Sequence, residues 1–290
     1  MAQVHSRSWR FRDADGMEIM GPGSRELLPG DPSSPVLLHV PHAGTEVPAW
    51  TRPHLLLDDA ELAAELAALT DHHTDRLARA AAQQAAVRPY VLVNRVSRFV
   101  VDPERFPDER EEMAGVGMGA VYTHGTRGQR IRADGPDHRE ALLAAYYRPW
   151  AEAVHSAVED RLATGRAVLL DVHSYPSAAL PYELHGGTAR PAVCLGTDPA
   201  HTPGWLVVAA RSAFAGVGSV ALDAPFAGTY VPLTHHGREP RVRSLMLEIR
   251  RDTYMTEPAG PVGPGLGKIT AALATLVEAI GEVVTAGAPG

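Results

Sequence analysis

Apolar residues gather along this chain in six short runs: Val36–Val40, Tyr90–Asn94, Ala167–Val172, Ala192–Gly196, Ser219–Leu222 and Leu245–Ile249. Runs this short and apolar on both faces predict strands covered on both sides, as in a parallel or mixed sheet. Between them the apolar positions switch to helical spacing. Asp58–Ala86 carries Leu62, Leu66, Leu69 and Leu77 on one face, and Asp137–Ala163, Pro203–Ala215 and Leu266–Val284 follow. Strands alternating with helices predict an α/β fold: a mixed, mostly parallel central sheet with helices on both faces. One domain over residues 1–290 is expected, with residues 1–30 and the final AGAPG peripheral. Pro103–Gly135 is a long polar stretch rich in Gly and Arg. Loops of that length in compact domains are usually functional or mobile.

Composition narrows the class. The net charge is -7 and the pI near 6.0, with no basic stripe, which argues against a nucleic-acid partner. No apolar run approaches the ~18 residues that cross a bilayer. The opening MAQVHSRSWRFRD lacks the apolar stretch of a signal peptide. A cytoplasmic protein without a membrane partner is expected, and its oligomeric state stays open. The lone cysteine, Cys194, excludes an internal disulfide and is expected to be a small core residue.

Polar residues stand at the carboxyl ends of the apolar runs, where open α/β sheets place their ligand sites. His42 and Gly44 follow the run Val36–Val40, while His39 lies within it and is expected to point into packing. Asp171 and His173 close the run Ala167–Val172 and share a face by strand alternation. An aspartate beside a histidine can fix the imidazole tautomer behind a metal. In Thr70-Asp-His-His-Thr-Asp75, Asp71 and Asp75 are four apart and face the same way on a helix. One of the aspartates could be a ligand; otherwise Thr70 or Asp71 caps a new helix after a break and Asp75 is a solvated charge, and His73 falls on the leucine side as a core residue. Zinc binds imidazole nitrogen and carboxylate oxygen, with one position left for water. His42, Asp71 and His173 would supply such a set. Glu248 is embedded in an apolar run, so it is either ion-paired or a general base with a tuned pKa. Arg95 and Arg98 fall in an arginine cluster beside Asn94. Arg98 can bind a carboxylate bidentately or pair internally with Asp102.

Taken together, these segments resemble the N-formylglutamate amidohydrolase (deformylase) family. The matching pieces are VPHAGTEVP (40–48), TDHHTDRL (70–77), SRFVVDPER (97–105), YYRPW (146–150), LLDVHS (169–174), LGT (195–197), THHGR (234–238) and LEIRRDTYM (247–255). The resemblance runs in order over about residues 35–255. It implies a fold similar to zinc carboxypeptidases and aspartoacylases, one zinc per chain, and hydrolysis of a linear amide such as N-formyl-L-glutamate. His42, Asp71 and His173 would be the zinc ligands, with Asp75 or Glu46 as substitutes for the acidic one. Glu248 would be the base, and His235 would lie by the substrate and polarise its carbonyl. Arg98, with Arg95 and Asn94 beside it, would bind a substrate carboxylate. The sequence departs from the family at Glu104, where Asn is usual, and at 181–187. Both departures are expected to reshape the pocket, with Glu104 at its mouth disfavouring a second substrate carboxylate. Two other readings stand beside this one: a zinc hydrolase of a different N-acyl amino acid or peptide-like amide, and a non-catalytic amino-acid-binding homologue. Metal content together with formate release separates them.

Overall fold

The computed structural model describes residues 24–133, 135–183 and 187–285. Among the described residues seven strands form one sheet: β1 (Arg25–Leu28), β2 (Val36–Val40), β3 (Tyr90–Asn94), β4 (Ala167–Tyr175), β5 (Val193–Gly196), β6 (Val220–Leu222) and β7 (Val242–Arg250), in the order β1-β3-β2-β4-β7-β5-β6. The central pairs β3/β2, β2/β4 and β4/β7 are parallel. β1 joins β3 antiparallel, and β5 joins β7 antiparallel. The sheet is therefore mixed and mostly parallel, as the uniformly apolar runs imply. β1 was not expected. Its RELL sequence is short and half-exposed, and an edge strand of mixed polarity leaves no apolar run to read.

The described residues include six α-helices, α1 (Asp59–Leu69), α2 (Thr74–Gln84), α3 (Pro136–Leu142), α4 (Arg148–Leu162), α5 (Gly204–Phe214) and α6 (Gly265–Thr285), of which α2, α4, α5 and α6 pack on the sheet. Alternation along the strands sorts the core into two faces. Val36, Leu38, Val40, Leu170, Leu245 and Leu247 pack under α2, α5 and α6. Leu37, Leu92 and Leu169 pack under α4 through Trp150, Val154 and Val158. Among the described residues no helix is long and apolar enough to cross a membrane.

Two departures from the apolar pattern shape the site. The expected helix Asp58–Ala86 is two helices. Asp58 and Glu61 close a capping box at the start of α1, and the chain then leaves helical geometry at Thr70. Asp71 turns its backbone N–H to the carbonyl of His42 at 3.0 Å, and His73 adopts the left-handed conformation (φ 66°) before α2 begins. The second departure is β4 and β7, which run past their apolar stretches into polar residues. His173 and Glu248 thus stand opposite each other in register, inside the sheet. The long segment after β3 is anchored by its few large apolar residues. Phe99, Met113, Tyr122 and Ile131 pack with Leu62 and Leu69 of α1. Val100, Val101 and Val121 pack with Leu142 and Tyr147, where a π-turn (Leu143–Tyr147) joins α3 to α4.

Candidate metal centre and active site

β2 and β4 are adjacent, but the chain leaves β2 towards β3 on one side and β4 lies on the other. That topological switch opens a crevice at the strands' carboxyl ends. His42 follows β2 there, held by a loop in which no side chain fits at Gly44. A Cβ at Gly44 would lie 2.3 Å from the backbone carbon of Arg95. His173 comes from β4, and Asp71 from the break between α1 and α2. Their ligating atoms converge: the two Nδ1 atoms are 3.2 Å apart, and Asp71 Oδ2 is 3.1 Å from His173 Nδ1 and 3.7 Å from His42 Nδ1. Donors on a tetrahedral zinc with bonds of ~2.0–2.2 Å are about 3.4 Å from one another, so these separations suit one small cation.

The opposite edges of both rings face carboxylates. His42 Nε2 is 3.0 Å from Asp102 Oδ1. His173 Nε2 is 2.9 Å from Asp171 Oδ1 and 3.2 Å from Glu104 Oε2, but neither approach is aligned as a hydrogen bond. Carboxylates behind ligating imidazoles orient the rings and raise their basicity. Burial and the Arg98 guanidinium push the His42 pKa down, yet Asp102 and Glu104 outweigh them and hold it above its ordinary value. Burial likewise opposes protonation of His173, and Asp171 and Glu104 still raise it well above. Burial pushes Asp71 up, but His173 and His42 bring it below the carboxylate range. Two facing imidazole nitrogens and a carboxylate, buried and surrounded by further carboxylates, form a cradle for a cation. The residues present fit a divalent metal.

Glu248 lies across the β4/β7 pair from His173, half-buried, and its Oε2 finds no hydrogen-bond partner among the described residues. Burial raises its pKa to about 7; the nearby His173 pulls against this, while the Asp71 carboxylate adds to the rise. Glu248, Asp71, Arg98, Arg105 and Arg251 line a cavity of about 310 Å³, walled by Tyr175, Tyr182 and Phe226. A second cavity of about 470 Å³ adjoins it across Arg105 and Ala227, and Glu104, Asp171 and Tyr147 face it.

The guanidiniums in the cavity differ in what they already hold. Arg98 gives Nε and Nη2 to Asp102 Oδ2, and Nε also to the Tyr122 hydroxyl. Arg251 is buried and donates to Asp71 Oδ1, Ser174 and the Ala68 carbonyl. Among the described residues Arg105 makes only loose pairs, 3.7 Å to Asp102 and 3.5 Å to Glu111.

Other residues singled out in the sequence lie elsewhere. Asn94 is buried under the His42 loop, donating to the Pro41 carbonyl and accepting from Val96 N–H. Arg95 is half-exposed near Asp75, and Asp75 faces Arg79 and Arg95 at the surface. Glu46 is exposed and bridges the Arg95–Ser97 backbone. His235 lines neither cavity. It sits against α4, 3.1 Å from Glu159 and stacked on His155, because its turn packs on that helix. Glu104 is not at the mouth of the first cavity but behind the imidazoles. His39 is fully buried between Trp150 and Tyr230, as expected of packing, yet its Nδ1 also reaches Asp171 at 2.7 Å. The departure at 181–187 is described only in part, since 184–186 lie outside the described residues. Sequence reasoning missed Arg251 and Arg105. Arg251 carries a legible signal, an arginine next to a strand-end carboxylate in LEIRRD.

A family model for N-formylglutamate amidohydrolase matches residues 34–255. The crystal structure of an N-formylglutamate amidohydrolase from Ralstonia eutropha superposes with a TM-score of 0.77 at 25% identity, covering 91% of this chain and 99% of that one. A gene product of Agrobacterium tumefaciens shares the fold with a TM-score of 0.63 at 19% identity, covering 91% and 95%. No curated protein matches. Since the model spans most of the chain, including every residue of the crevice, this chain belongs to the N-formylglutamate amidohydrolase family and is a hydrolase of amide bonds.

Proposed function

We propose that the chain is a zinc amidohydrolase that removes a formyl or other small acyl group from an amino acid. The observation that carries this reading is the convergence of His42 Nδ1, His173 Nδ1 and Asp71 Oδ2, with Asp71 lining the same cavity as Glu248, whose Oε2 has no hydrogen-bond partner among the described residues. Two imidazoles and one carboxylate are a ligand set of catalytic zinc. A zinc ion there would supply Lewis acidity to the amide carbonyl and acidify a neighbouring water. Glu248 Oε2 takes a proton from the attacking water as its oxygen bonds to the amide carbon. The carboxyl then passes that proton to the amide nitrogen as the C–N bond breaks, releasing an acid and an amine. Arg98, which lines the same cavity as Glu248 and Asp71, supplies a nearby cation to stabilise the developing oxyanion.

Substrate charge follows from which guanidinium is left over. Arg98 is held by Asp102 and Arg251 by Asp71, so Arg105 is the one that can take a carboxylate bidentately. Glu112 and Asp223 also line the cavity, and Tyr175, Tyr182 and Phe226 offer aromatic surface. A substrate with one carboxylate and an apolar side chain suits this lining better than a dianion does. The test is formate release from N-formyl derivatives of leucine, phenylalanine and glutamate, before and after chelation. The expected result is metal-dependent release with leucine or phenylalanine at least as good as glutamate. Release unaffected by metal removal contradicts the zinc reading, and a strong preference for glutamate contradicts the substrate reading.

A further inference from the structure

A second group of metal-ligating side chains lies on α4, away from both cavities. His155 and Glu159 are one helical turn apart and share a face. The turn after Pro232 brings His235 against them, locked by Arg238 and Glu239 N–H groups bonding to its carbonyl. One ligating atom from each of the three lies within 4.8 Å of the others. His235 is 8% exposed, and its Nε2 has no hydrogen-bond partner among the described residues although Glu159 Oε1 is 3.1 Å away. A nitrogen and a carboxylate oxygen that close, yet not aligned with each other, can both face a common third point. The rings of His155 and His235 stack at 5.2 Å with planes 20° apart, so their edges run side by side. Thr234 Oγ1 engages His155 Nδ1 at 3.1 Å, leaving Nε2 as the ligating nitrogen.

We propose that His155, Glu159 and His235 form a second divalent-cation site, taking zinc or a similar borderline metal. Two imidazoles and a carboxylate suit zinc, and the half-open position of Glu159, whose side chain is 51% exposed, leaves room for water to complete the shell. The site ties α4 to the turn that carries Leu233 and His236 to the wall of the second cavity, so an ion here would hold that wall in place. It is independent of the catalytic reading, since none of its three residues lines either cavity.

The experiment is zinc uptake by chelator-treated protein, wild type against Glu159→Gln and against His155→Gln/Glu159→Gln, with amide hydrolysis measured alongside. Glu159 is exposed, so its single variant keeps the fold even if the double variant does not. The expected result is one zinc per chain fewer in the double variant, weakened uptake of that same equivalent in Glu159→Gln, and unchanged hydrolysis. Equal uptake by wild type and both variants overturns the site. A wild type that binds a single zinc, lost in the variants, upholds this site while contradicting zinc at the crevice. A single zinc retained by the variants does the reverse.

Discussion

Glu248 shows how one carboxylate can be readable in sequence and still need a structure to be understood. Its place in an apolar run marks it as unusual, but only the β4/β7 register sets it opposite His173. Burial raises its pKa from 4.5 to about 7. A carboxyl whose folded pKa is raised holds its proton more tightly in the folded chain than in the unfolded one. Its contribution to stability is then present below the unfolded value, near 4.5, and is lost as pH rises towards 7. In metal-free protein, Glu248→Gln is therefore expected to be more stable than wild type at pH 8, with the gain gone at pH 4. Melting curves at the two values check this, and a gain of equal size at both contradicts the raised pKa. Arg98 teaches the opposite lesson. The sequence offers a substrate clamp and an internal pair with Asp102 on equal terms. The structure makes the pair, through which Asp102 also braces His42. Spacing of four residues cannot separate those two uses, because both need the same two side chains close together.

At the scale of elements, the buried strands were legible because a strand covered on both faces reads as an unbroken apolar run. Strand ends were less so. The apolar pattern stops at Val172, whereas β4 continues through His173 and Ser174 to Tyr175. The α1–α2 break was hidden by leucines that keep helical spacing across it. Among the residues that interrupt it, Thr70 still bonds back to Leu66 of α1, whereas Asp71 gives its N–H to the His42 carbonyl just past β2. Arg251 closes this arrangement from the turn just past β7 by holding Asp71 Oδ1 and the Ala68 carbonyl at the end of α1. Arg251→Met would leave the Asp71 carboxylate buried without that cation. Breaking a buried pair from one side costs roughly 3–5 kcal/mol. Urea denaturation of the metal-free variant should show a loss of that order, reduced when zinc is bound because the ion supplies Asp71 with a positive partner. A loss below about 1 kcal/mol in both states would mean that Arg251 does not support Asp71.

Across the whole molecule, the crevice takes its residues from six separate stretches, around 42, 71, 98–105, 173–183, 223–227 and 248–251, brought together by the sheet order. No local spacing could assemble them, which is why the site came into view through eight short matches in register with a family and not through any one motif. His235 marks the limit of that route. It lies in a matched segment, but the segment's turn packs on α4 and carries the side chain away from the crevice. The central claim joins the metal ligands to Glu248 as the base. Its most direct test is formate release by Glu248→Gln measured against wild type, with metal content determined on the same samples. The account expects the variant to keep its metal and fold while turnover falls about 10²–10⁴-fold, the usual cost of losing one general base. A metal-loaded Glu248→Gln that turns over at the wild-type rate would contradict it.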